Sequence, residues 1–169
     1  IAGSCVVNGH AWSEQQIVVV RDTVLQPLYL DVVCAPTVKS ANSVGLRTMS
    51  RWNLGYSSEV AATYTVEYEP SEDSAVKLAA LVAAANAELA AQGLPETASI
   101  SDYVDLKFIT VGTVTDSQGN SADRVALYFN STYYGMARVT ASYSINGSTY
   151  SEVKYIALSP ARNIITSIT

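Results

Sequence analysis

Charge is scarce in this chain. Asp, Glu, Lys and Arg make up 15% of the 169 residues, well short of the roughly 25% usual in soluble domains. Four of them are lysines and the formal net charge is −5, so the sequence offers no basic face and no nucleic-acid partner is expected. Histidine occurs once. A Ser-His-Asp or Cys-His arrangement would have to use His10, which stands beside Gly9 in an arm at one end of the sequence. There is no G-x-S-x-G elbow and no Gly-rich phosphate loop. The carboxylates Asp22, Asp31, Glu67, Glu69, Asp102, Asp105 and Asp123 follow no spacing that singles out two of them for glycoside chemistry. The chain is therefore not expected to be an enzyme or to hold a cofactor or metal. No unbroken run of about 18 apolar residues exists, so no membrane span is expected either.

Serine and threonine take the place of the missing charge, at about a fifth of the residues. With 49% hydrophobic residues the composition is too apolar for disorder, and the length suits one domain, 1–169, with its own core. Two cysteines, Cys5 and Cys34, make an even count that favours pairing in an oxidising compartment. Such a bridge would close a loop of about 29 residues and stabilise by roughly 3–4 kcal/mol in the chain-entropy model. Two free thiols are the other reading. Asn130-Ser131-Thr132 and Asn146-Gly147-Ser148 are glycosylation sequons, which places Asn130 and Asn146 as candidate glycan carriers. The sequence opens Ile1-Ala2-Gly3-Ser4 without methionine, and removal of a secretory signal is the simplest reading. Together these features point to an exported protein, extracellular or at the cell surface.

Strand signals dominate. Ile17-Val18-Val19-Val20 is β-branched throughout, as in a strand buried on both faces. Residues 28–34 alternate between Pro27 and Pro36, with Leu28, Leu30 and Val32 expected on one face and Tyr29 and Val33 on the other. Val60, Ala62, Tyr64, Val66 and Tyr68 share a face at a clean period of two. Residues 1–13 read as an irregular arm or short strand, and 37–58 are ambiguous. An amphipathic helix is expected at about 72–92. Ser71 caps it, Glu72 and Asp73 sit in its first turn, and Gly93 and Pro95 stop it. Its stripe Leu78, Leu81, Val82, Ala85 and Leu89 predicts that it lies across a sheet or in a subunit contact.

Strands return on both sides of Asp116–Asn120. The oxygen donors of 116–123 depart from the EF-hand order of ligands, so a plain polar turn is expected there. Two further strands flank Asn146-Gly147. A three-residue loop, 145–147, would pair Val139 with Val153, whereas a two-residue turn would set Val139 opposite Lys154 and mix the faces. The three-residue loop is the expectation. Eleven tyrosines against two phenylalanines is an unusual ratio. Tyr64, Tyr68, Tyr143 and Tyr155 are expected to line the core, and Tyr128, Tyr133, Tyr134 and Tyr150 to be more exposed, either as a contact surface or as ordinary strand composition.

The sum is a mainly β chain, an antiparallel β-sandwich-like domain with one inserted helix. It has an N-terminal arm, 1–15, and a C-terminal tail, 160–169. Short uncharged strips, Ile17–Val20 and Ile164, Ile165 and Ile168 in the tail, could each complete a neighbour's sheet. In this layout the chain loosely resembles the secreted β-sandwich subunits of strand-complemented extracellular filaments, archaeal thread-like or pilus-like, although the long helix departs from the plain pilin pattern. The resemblance implies copies of itself as partners, donor-strand polymerisation into open fibres, and surface glycans. A monomeric secreted or periplasmic module that binds a glycan or small ligand through tyrosines and Trp52 is the alternative.

Overall fold

The computed structural model describes residues 2–15 and 24–160. The strips at 17–20 and 164–168 therefore lie outside the described residues. A first hairpin pairs β1 (Ala2–Val7) with β2 (His10–Gln15). Its turn is Asn8-Gly9, with φ of 51° and 77°. Those two left-handed positions make a two-residue turn whose twist matches that of the strands. The arm, read from sequence as irregular or a short strand, is thus a regular two-stranded hairpin, and the Asn-Gly pair is its local signal.

The body has two layers. One is the sheet β4-β12-β11-β8, formed by β4 (Thr37–Lys39), β8 (Thr63–Pro70), β11 (Gly135–Ile145) and β12 (Ser148–Ser159). The other holds two sheets side by side. In β3-β6-β7 these are Pro27–Val33, Arg47–Trp52 and Ser57–Glu59; in β5-β10-β9 they are Asn42–Gly45, Ser121–Asn130 and Asp105–Thr115. All pairings are antiparallel except β4 with β12. The mainly β, sandwich-like architecture with one helix is as the sequence predicts, and the ambiguous stretch 37–58 resolves into β4 to β7.

Core packing follows from the alternation. Ala137, Val139, Ala141, Tyr143, Ile156 and Leu158 face Leu30, Val32, Trp52, Leu127 and Phe129 in one continuous buried cluster. Trp52 and Tyr143 meet edge to face across the layers, with centroids 6.2 Å apart. Of the tyrosines expected inside, Tyr143 is buried and Tyr64 and Tyr68 pack against the core, but Tyr155 is half exposed on the outer face. Tyr133 and Tyr150 pack inward instead.

Two register expectations are corrected. Leu28 is exposed rather than inward, because the β3–β6 ladder shifts between Pro27 and Tyr29 and leaves Leu28 out of the alternation. The β11–β12 turn has two residues, not three. Ile145 pairs with Ser148 and Val139 with Lys154, and Asn146 and Gly147 both take positive φ, 52° and 75°. Turn chemistry wins over face matching here because β4 covers β12 only at Ala157–Ser159. At the uncovered part of that edge the exposed Glu152 and half-buried Lys154 reach water along their apolar stems.

The helix, α1 (Glu72–Ala91), carries the connection from β8 to β9. Ser71 caps it by accepting from the Ser74 N–H, and the Ser74 hydroxyl accepts from the Tyr134 N–H. Only Ser74 and Leu78 are buried. Leu81, expected on the packed stripe, is exposed, as is Val76, so the helix rests on the body by its first turns rather than along its length. By length and composition α1, with mean hydropathy 1.4, is the one described helix that could span a bilayer, although charged residues interrupt its apolar sequence. The chain nevertheless returns alongside it. Asn86 exchanges two hydrogen bonds with Ala98, and the Tyr103 hydroxyl donates to the Leu81 carbonyl.

Candidate functional site

Unsatisfied surface is concentrated in two places. The first is the β1–β2 hairpin. Every residue from Ala2 to Ser13 is exposed, with Val6 at 70%, Val7 at 54% and Trp12 at 66%. Cys5 lies directly across the ladder from Trp12, so the thiol and the indole share one face. An isolated two-stranded hairpin is marginal in water. This one presents two valines and a tryptophan without burying them on anything described.

The second place is the rim of the sandwich. On one side β4 and β5 bring the layers together, with the Ala41 N–H donating to the Phe129 carbonyl and the Ser40 N–H to the Ser159 carbonyl. On the other side β8 and β9 are both terminal strands of their sheets, and among the described residues no ladder joins them. Tyr64 and Phe108 span the gap with ring centroids 6.1 Å apart. A cleft of about 290 Å³ lined by Ala62, Tyr64, Phe108 and Val125 opens beside them. Helix α1 is the connection between these two edges, anchored by Leu78. Free edge strands present rows of unpaired N–H and C=O groups, the template for adding a strand.

Cys34 follows β3 and borders another hollow, about 320 Å³, together with Val33, Leu46, Arg47, Val111 and Arg124. Val111 is there because β9 bulges: Arg124 pairs with Gly112 and Val125 with Thr110, which leaves Val111 unpaired and 56% exposed. Burial pushes the Cys34 thiol above its ordinary range, an effect that Lys154 partly offsets. Arg124 is held by Glu59 at 2.8 Å. Cys5 and Cys34 are both free thiols in the structure.

The remaining candidate residues fall as follows. Asn130 is exposed at the end of β10, its side-chain oxygen accepting from the Ser40 hydroxyl. Asn146 sits in the β11–β12 turn and donates through Nδ2 to the Leu25 carbonyl. His10 is exposed at the hairpin turn. Among the described residues no three of His, Cys, Asp or Glu converge as metal ligands. The Asp116 loop is a staple: one carboxylate oxygen accepts from the Gln118 and Asn120 N–H groups, and the other from Asn120 Nδ2 and the Ala61 N–H. Trp52 is fully buried and donates to Ser58, which removes it from any ligand-binding surface. The hairpin's apolar face and the β8–β9 gap escaped the sequence reading, since exposure is a property of what fails to cover a residue. Compared with known protein families, curated proteins and solved structures, the chain matches none.

Proposed function

We propose that this chain is a structural subunit of an extracellular filament, joined to its neighbours by β-strand complementation. The observation that carries the reading is the hairpin Ala2–Gln15, a regular element whose Val6, Val7 and Trp12 are left in water. Full burial of such side chains stabilises by roughly 1.5–3 kcal/mol each, so a surface on another copy has a strong drive to cover them. The open edges of β8 and β9 support it from the acceptor side, because main-chain hydrogen bonding there can add a strand irrespective of side-chain chemistry. A contact between different surfaces of identical subunits is heterologous and grows into an open fibre when its rotation does not close.

Size-exclusion chromatography of the full chain over a concentration series, followed by negative-stain microscopy, tests this. Fibres or a ladder of assemblies are expected. A monomer at every concentration, with the hairpin resistant to protease, would favour the binding module. The observation in favour of that second reading is a polar cleft of about 530 Å³ at the Ser144–Gly147 end of the body, lined also by Gln118 and Asn120.

A further inference from the structure

We infer that the hairpin of one copy docks in the Cys34 hollow of the next and is locked there by a Cys5–Cys34 disulfide between chains. The inference rests on the reading that copies associate, and it names the contact and its covalent closure.

Two properties of the two surfaces match. The hollow has apolar walls, Val33 and Val111, that are 43% and 56% exposed, and at about 320 Å³ it has room for one aromatic side chain. The hairpin offers Trp12, 66% exposed. Beside the hollow stands one free thiol, and beside Trp12, directly across the ladder, stands the other.

Chain connectivity favours a neighbour's hairpin over the chain's own. The segment Val24–Gln26 is pinned at the start of β3. Asn53 and Asn146 donate to the Val24 and Leu25 carbonyls, and the Gln26 N–H donates to Asn53. Cys34 follows the opposite end of β3, about 26 Å from Gln26 at the rise of a strand. A hairpin folding back on its own body would have to spend most of the reach of residues 16–23, at most about 28 Å, running parallel to β3. A second copy carries no such tether.

The chemistry balances with a disulfide-bearing donor such as oxidised glutathione. The Cys5 thiolate attacks the donor disulfide, forming a mixed disulfide and releasing one thiolate. The Cys34 thiolate of the neighbouring copy then attacks Cys5 Sγ and expels the second. Two protein thiols are oxidised, the donor disulfide is reduced to two thiols, and both protons end on them. Burial holds the Cys34 thiol above its ordinary range, which slows the second step relative to the first.

The experiment uses the full chain in a glutathione redox buffer, with non-reducing electrophoresis and intact mass. Wild type is expected to give a ladder that collapses with thiol. Cys5→Ala and Cys34→Ala should each remain monomeric on the gel, and an equimolar mixture of the two should give a covalent dimer and nothing larger. Trp12→Ala should build the ladder about tenfold more slowly if the indole anchors the contact. A monomer lighter by two hydrogens, thiols that stay reactive after oxidation, or dimers from Cys34→Ala alone would each overturn the inference. Microscopy of the Cys5→Ala/Cys34→Ala double variant separates the two proposals. Fibres from it, with no wild-type ladder, leave the filament standing and remove the bridge; a wild-type ladder without fibres does the reverse.

Discussion

Tyr143, at the far end of β11, and Asp116, in the β9–β10 turn, are bridged by a single side chain, Asn120. Asn120 donates from Nδ2 to the Tyr143 oxygen at 3.1 Å and to Asp116 at 3.3 Å. The contact ties the two layers together at one end of the sandwich. Tyr143 is buried, so its ring packs against Trp52 while its polar tip is satisfied within the protein.

Tyr143→Phe keeps the ring and removes the acceptor that Asn120 uses. It should cost about 1 kcal/mol, because the bridge to the 8%-exposed Asp116 is broken beside the buried ring. A urea titration that finds no change in midpoint would show that the bridge contributes nothing.

The same bridge gives a pH dependence with two limbs. Burial pushes Asp116 up, but the polar groups of Tyr143, Asn120 and Gln118 outweigh it and hold the carboxyl below its ordinary value. Its contribution is therefore complete above about pH 4 and lost as pH falls further through the folded value. Burial, and then the neighbouring Asp116 carboxylate, push Tyr143 up to about 12. That contribution is complete below about pH 10, the unfolded tyrosine value, and is lost as pH rises toward 12. Unfolding midpoints measured from acid to alkali should fall at both ends, with the alkaline limb flattened in Tyr143→Phe.

Ser50 makes the opposite kind of prediction. Its side chain is fully buried on β6 and its hydroxyl has no hydrogen-bond partner. Ser50→Ala removes an unpaired polar group and should be neutral or stabilise by about 1 kcal/mol. A loss of more than that in thermal or urea unfolding would mean that the hydroxyl is satisfied after all.

Gly135 is required by space rather than by turn geometry. A Cβ there would sit 2.5 Å from the Glu69 carbonyl oxygen and 2.6 Å from the Tyr68 ring. The backbone oxygen belongs to the neighbouring strand β8 and cannot yield without breaking the ladder. Gly135→Ala should destabilise by about 2–3 kcal/mol. The β10–β11 connection should also become more sensitive to protease, measured by limited digestion.

Much of the β framework was legible because its causes are local. The inward face of Tyr64, Val66 and Tyr68, the Asp116–Asn120 turn and the Ser71 cap all follow from alternation, turn residues and capping within a few positions. Where the reading slipped, a distant partner or a second local rule intervened. Leu28 left its face because β6 shifts register against β3. Asn146-Gly147 set its own register because the edge of β12 tolerates charge. The helix was correctly placed from 72 onward, but its stripe overstated the burial of Leu81.

Order along the chain alone therefore decided the mainly β class, the capped helix and the strands with a clean alternation, since each depends on neighbours a few residues away. It could not decide which apolar residues stay wet. Val6, Val7 and Trp12 differ from core residues in nothing but the absence of a covering surface, and the β8–β9 gap exists only because two sheets meet on one side and not on the other. Exposure and edges are properties of packing between distant segments, and that packing leaves the hairpin's apolar face and the two terminal strands as they are.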